Sequence, residues 1–97
     1  MRRAETTALL AAHAEALREI GIGALFVFGS MARDEAGADS DVDLFFDPSH
    51  TGLSLFDVMD ARDHISGLLQ RPVDIMTRNS LHPYLRSRIE AEAVRIF

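Results

Sequence analysis

The sequence predicts an α/β domain in which a small sheet packs against helices. Three observations carry this. Leu10, His13, Leu17 and Ile20 recur at helical spacing, with Glu15, Arg18 and Glu19 elsewhere on the wheel. Ala24-Leu25-Phe26-Val27-Phe28 is an apolar run closed by Gly29-Ser30, as a buried strand closed by a turn would be. Ser40-Asp41-Val42-Asp43-Leu44-Phe45-Phe46 alternates at its start, so that Asp41 and Asp43 share one face while Val42, Leu44 and Phe46 face a core.

A first helix is expected from about residue 4 to 20, stopped by Gly21, whose tolerance of positive φ suits a helix C-terminus. The first strand follows from about Ala24 to Phe28. Met31 to Glu35 should form a short helical turn, and Gly37, Asp39 and Ser40 mark a loop into the second strand, which Pro48 stops. Ser54 with Asp57 has the form of a capping box, and Leu55, Val58, Met59, Ile65, Leu68 and Leu69 give a mostly apolar stripe on a helix of roughly residues 54 to 70. Pro72 opens a third strand. A last helix from about Pro83 to Glu92 leads to a short edge strand, Val94 to Phe97.

Ninety-seven residues make one domain, 1–97, near the size at which a single core suffices. Formal net charge is -5 and every basic residue is arginine. Without lysine there is no Walker-type phosphate lysine and no Schiff-base amine. Without cysteine there is no thiolate catalysis, disulfide or cysteine-based zinc site. The acidic balance speaks against direct nucleic-acid binding, which leaves a basic footprint. Arg2-Arg3 before Ala8-Leu9-Leu10-Ala11-Ala12 imitates a signal peptide, but Glu5 and the short apolar run oppose that reading. No stretch is long enough to span a bilayer, so a cytoplasmic protein with no membrane association is expected.

The chemistry-bearing residues lie at the ends of the first two strands. At Gly29-Ser30 no bulky side chain blocks the backbone, so an anion such as phosphate can approach its N–H groups. Asp41 and Asp43 offer hard oxygen ligands to a divalent cation. A calcium loop opening at Asp39 fails, because its glycine would fall at Leu44 and its bidentate glutamate at His50. His13, His50, His64 and His82 show no metal-ligand spacing, and Gly21-Ile22-Gly23 precedes its strand where a dinucleotide fingerprint would follow it. The six phenylalanines and Tyr84 are most simply core.

Gly29-Ser30, ten residues, then Asp41-x-Asp43 resembles the signature of the DNA polymerase β-like nucleotidyltransferase superfamily. Met31-Ala32-Arg33 and Ser40 narrow the resemblance to the minimal nucleotidyltransferases, small antitoxins encoded beside HEPN-domain toxins. Arg71-Pro72-Val73-Asp74-Ile75-Met76 is similar to the family's third acidic strand, and Arg88 to Phe97 to its usual ending. Asp34 departs from the pattern, since many members carry glycine there.

The resemblance implies a polymerase β-like core with a small mixed sheet. It also implies a site in which Asp41, Asp43 and Asp74 hold two Mg²⁺ ions, with Asp74 accepting the proton of the incoming hydroxyl, while Gly29, Ser30 and Arg33 bind the triphosphate of ATP. Two ions about 3.5–4 Å apart suit in-line displacement at phosphorus. The function it implies is transfer of AMP to a hydroxyl, a tyrosine, of a HEPN ribonuclease partner. Two alternatives stand beside it: an antitoxin that only covers the toxin's active site, its acidic surface facing a basic cleft, and a small-molecule nucleotidyltransferase subunit, for which a separate acceptor domain would be needed.

Overall fold

The computed structural model describes residues 2–37 and 40–97, so Asp39, placed by the sequence in a loop, lies outside the described residues. Its secondary structure runs α1 (Arg3–Ala12), α2 (Ala14–Ile20), β1 (Ile22–Phe28), α3 (Gly29–Ala32), β2 (Val42–Pro48), α4 (Leu55–Leu69), β3 (Val73–Thr77), a 3₁₀ turn (Arg78–Ser80), α5 (Arg86–Glu92) and β4 (Val94–Arg95). The expected α/β architecture is present. The sheet is mixed, in the order β3-β2-β1-β4. β1 runs antiparallel to both β2 and β4, while β2 and β3 are parallel. Parallel neighbours need a crossover, which α4 supplies.

The expected first helix is two. At His13 the backbone N–H bonds the carbonyl of Leu10, three residues back, while the ring Nδ1 lies 2.9 Å from the carbonyl of Leu9. That side chain competes for the oxygen the fourth-neighbour bond would use, and the helix breaks there. Leu10 and Leu17 still reach the core from the two halves. Gly21 ends α2 with φ +125°.

β1 starts at Ile22, two residues before the expected Ala24, because Ile22 still pairs with Pro48 across a register shift between Ile22 and Ala24. Gly29 and Ser30 are not a turn ahead of a helix but the first residues of α3 itself. After α3, Asp34 adopts φ +59°, which explains why glycine suits that position. Here the aspartate is compensated. Its Oδ1 accepts the N–H of Arg3 at 3.0 Å, satisfying one of the donors left free at the start of α1, and the Arg3 guanidinium bonds the carbonyl of Ala32 at 2.8 Å.

Alternation in β2 builds the two sheet faces. Val42, Leu44 and Phe46 are fully buried with Leu25 and Val27 of β1, and Ala61, Ile65 and Leu69 of α4 pack in the same cluster as Leu10 and Leu17. Fully burying a side chain of this size contributes roughly 1.5–3 kcal/mol, so this face holds the fold together. α4 starts as expected, with Ser54 accepting the N–H of Asp57 and the Asp57 carboxylate accepting the N–H of Ser54. Its apolar stripe is narrower than expected. Val58 and Leu68 pack at the edge of the core, whereas Leu55 and Met59 are exposed together with Phe56. Phe56 and Tyr84, expected in the core, are 76% and 92% exposed.

Asp43, Phe45 and Asp47 lie on the other face. Phe45 is nonetheless buried, because Phe26 stacks on it at 4.8 Å and the Arg78 guanidinium covers both rings at 4.8 and 5.0 Å. Arg78 also holds both oxygens of Asp47 at 2.8 and 3.0 Å and Glu90 of α5 at 2.6 Å. The last helix begins at Arg86, later than the expected Pro83. The edge strand is shorter than expected, although Ile96 still donates to the carbonyl of Leu25 and Phe97 accepts the N–H of Leu25. No helix among the described residues is long and apolar enough to cross a membrane.

Candidate active site

One row of the sheet gathers two of the three sequence-predicted carboxylates, Asp43 and Asp74. In register, Phe28 of β1 stands opposite Asp43 of β2, and Asp43 opposite Asp74 of β3. Asp41 sits one residue before β2, exposed at its mouth rather than within the strand. Asp43 is half-buried and Asp74 is exposed on the edge strand. Burial, then Asp74, then Asp41 push the Asp43 carboxyl above its ordinary range, and only the charge of Arg33 acts in the opposite direction. Asp74 and Asp41 are therefore each near enough to repel Asp43.

That electrostatic state suits a divalent cation. The donors are hard carboxylate oxygens, and Asp43 carries a repulsion that a bound cation would relieve. Among the described residues no three His, Cys, Asp or Glu side chains converge closely enough to hold a metal ion as they stand.

Gly29 closes the site from the β1 side. It has φ +71°, and a Cβ there would lie 2.6 Å from Oδ2 of Asp43. Both the backbone conformation and the approach of the carboxylate require glycine. Its N–H is not open to a ligand, because it donates to Oε1 of Glu92 at 3.1 Å. Ser30, next in the chain, is half-buried, and its carbonyl accepts the N–H of Glu35 at 2.8 Å, which folds the segment after α3 back on itself.

Arg33 follows α3 with an exposed side chain that donates to Glu35 at 3.0 Å and to Glu92 at 3.1 Å. Those two carboxylates, Glu35 first, raise its pKa further, so it is a permanent cation beside Asp43. Arg71, from the start of the third acidic strand, is buried and donates to the carbonyl of Gly37. It thereby ties the stretch before Asp41 to the start of β3.

The nucleotidyltransferase domain family matches residues 10–96 of the chain. This chain belongs to that family. Protein adenylyltransferase MntA of Thermococcus cleftensis is 33% identical to it over 93 residues, which cover 95% of this chain and 93% of the relative. A structure solved under the name minimal nucleotidyltransferase superposes with a TM-score of 0.76 at 36% identity, covering 97% of this chain and 95% of that one. The Shewanella oneidensis complex of a tri-AMPylated HEPN toxin with an MNT antitoxin gives a TM-score of 0.66 at 16% identity, covering 94% of this chain and 71% of that one. That last likeness is one of fold. Gly29-Ser30 directly follow β1, Asp41 precedes β2, and Asp43 and Asp74 are the second residues of β2 and β3.

One group at the site, Glu92, and one outside it, Arg78, were not singled out by sequence reasoning. Both act through partners far away in the chain, Glu92 on Gly29 and Arg33 and Arg78 on Asp47. Nothing in the residue types around them marks those contacts.

Proposed function

We propose that this protein transfers AMP from ATP to a hydroxyl group, a tyrosine, of a HEPN-domain ribonuclease and thereby silences it as an antitoxin. The observation that carries the reading is the packing of Asp43 against Gly29 with Asp74 alongside. An acidic row and a side-chain-free backbone then share the end of one sheet. The adenylyltransferase relative and the HEPN complex of the structural neighbour support a HEPN-domain partner.

In this reading Asp41, Asp43 and Asp74 would hold Mg²⁺, which when bound neutralises charge on the attacking and leaving oxygens. Ser30 and Arg33 bind the terminal phosphates, Ser30 through its hydroxyl and N–H and Arg33 by charge. Asp74, exposed on the edge strand, takes the proton of the acceptor hydroxyl. The hydroxyl oxygen bonds to the α-phosphorus, the bond to the β-phosphate oxygen breaks, and pyrophosphate leaves. The site is cytoplasmic in this account, where ATP and a ribonuclease target coexist.

Growth rescue tests the reading. Cells expressing a HEPN ribonuclease from the same genome should recover with the wild-type chain and not with Asp41→Asn/Asp43→Asn. Equal rescue by the double variant, with the complex intact, would replace enzymatic silencing by simple coverage of the toxin's active site.

A further inference from the structure

The ladder between β1 and β4 pairs Phe26 with Arg95 and Val27 with Val94. Continued by two steps, the same register sets Gly29 opposite Glu92. The backbone cannot continue it, because Glu92 belongs to α5, whose last turn closes with the N–H of Ala93 on the carbonyl of Ile89. The side chain takes over. Oε1 of Glu92 accepts the Gly29 N–H at 3.1 Å, where a strand carbonyl would otherwise serve, and both its oxygens lie within 3.1–3.3 Å of Nη1 of Arg33.

We propose that Glu92 is a positioning residue for the nucleotide-binding segment: by engaging the Gly29 N–H it fixes the backbone leading into Ser30, and it holds the guanidinium of Arg33 in the orientation that a triphosphate meets. The proposal rests on the reading of that segment as the phosphate site. Glu92 is well placed for the task. Only Ala93 separates it from β4, which is bonded to β1, so its backbone is fixed relative to the strand that leads into Gly29. The Arg33–Glu92 pair is partly exposed, at 47% and 29% for the two side chains, so it adds little to global stability and its effect is local.

Binding of ATP with Mg²⁺, measured by titration calorimetry beside thermal unfolding, separates the outcomes. Glu92→Gln keeps an acceptor for Gly29 but no charge; Glu92→Asp keeps the charge but not the reach. Glu92→Ala and Glu92→Asp should raise Kd about tenfold with little change in unfolding midpoint, while Glu92→Gln stays within about threefold of wild type. In the transfer assay the loss should appear in KM for ATP, with kcat nearly unchanged. Unchanged or tighter binding by Glu92→Ala overturns the proposal and makes the carboxylate inert or a competitor of phosphate. Equal loss in Glu92→Gln and Glu92→Ala overturns the assignment to the Gly29 amide. Absence of binding by folded wild-type protein overturns the phosphate-site reading itself, and the proposal with it.

Discussion

Oδ2 of Asp43 occupies the space that a side chain at Gly29 would need, 2.6 Å from where its Cβ would be. Residues fourteen positions apart thus define each other: the glycine admits the carboxylate, and the carboxylate forbids any other residue at the turn. Gly29→Ala should cost roughly 1–3 kcal/mol from the positive φ and displace Asp43 as well. Chemical denaturation will give the stability loss. Loss of AMP transfer larger than the unfolded fraction accounts for will show that the carboxylate has moved.

Removing the charge of Asp43 should stabilise the fold while destroying activity. Its carboxyl is raised by burial and by Asp74 and Asp41, so the native state holds the proton more tightly than the unfolded chain does. That contribution is present at acid pH and is lost as pH rises through the folded pKa. At neutral pH the ionised group opposes folding. Like charges directly opposite on neighbouring strands cost roughly 0.2–1 kcal/mol, and Asp43→Asn should recover about that much at pH 7 without Mg²⁺. The gain should vanish in acid, where wild-type Asp43 is itself protonated. Mg²⁺ should raise the melting temperature of wild type and leave Asp41→Asn/Asp43→Asn unmoved.

The order of elements was legible because it rests on local signals. The capping box of Ser54 and Asp57, the glycine ending α2 and the alternation through Asp43, Leu44 and Phe46 each lie within a few residues of what they determine. The break at His13 escaped because periodicity continues across it, with Leu10 and Leu17 both buried while one side chain takes a helix carbonyl. Glu92 and Arg78 escaped because their partners are long-range, and charge alone does not say which carboxylate an arginine meets. The exposure of Phe56 and Tyr84 ran against composition, since an aromatic side chain is more often buried than not.

Arg78 should be a stability residue outside the chemistry. It joins the end of β2 to α5 through Asp47 and Glu90 and covers Phe26 and Phe45. Arg78→Met should destabilise by about 1–3 kcal/mol, from charge-assisted hydrogen bonds and the cation–π contact. The Arg78 hydrogen bond, chiefly, lowers the pKa of Glu90, so its support is present above the ordinary glutamate range and is lost as pH falls through the folded value. Urea midpoints as a function of pH should therefore show a shallower acid decline in the variant.

Ser54→Ala should remove about 1 kcal/mol by opening the capping box of α4. The cap sits at the far end of the β2–α4 connection from the acidic row. Thermal unfolding should report the loss, and nucleotide affinity measured below the transition should be unchanged.

The central claim is covalent transfer, and the direct measurement is label. α-Labelled ATP with Mg²⁺, this protein and a HEPN-domain ribonuclease from the same genome are incubated beside a reaction with Asp41→Asn/Asp43→Asn. Label is expected on the ribonuclease, absent in the variant reaction and abolished by replacing the modified tyrosine. A stable complex that acquires no label, or label undiminished by the double variant, would contradict it.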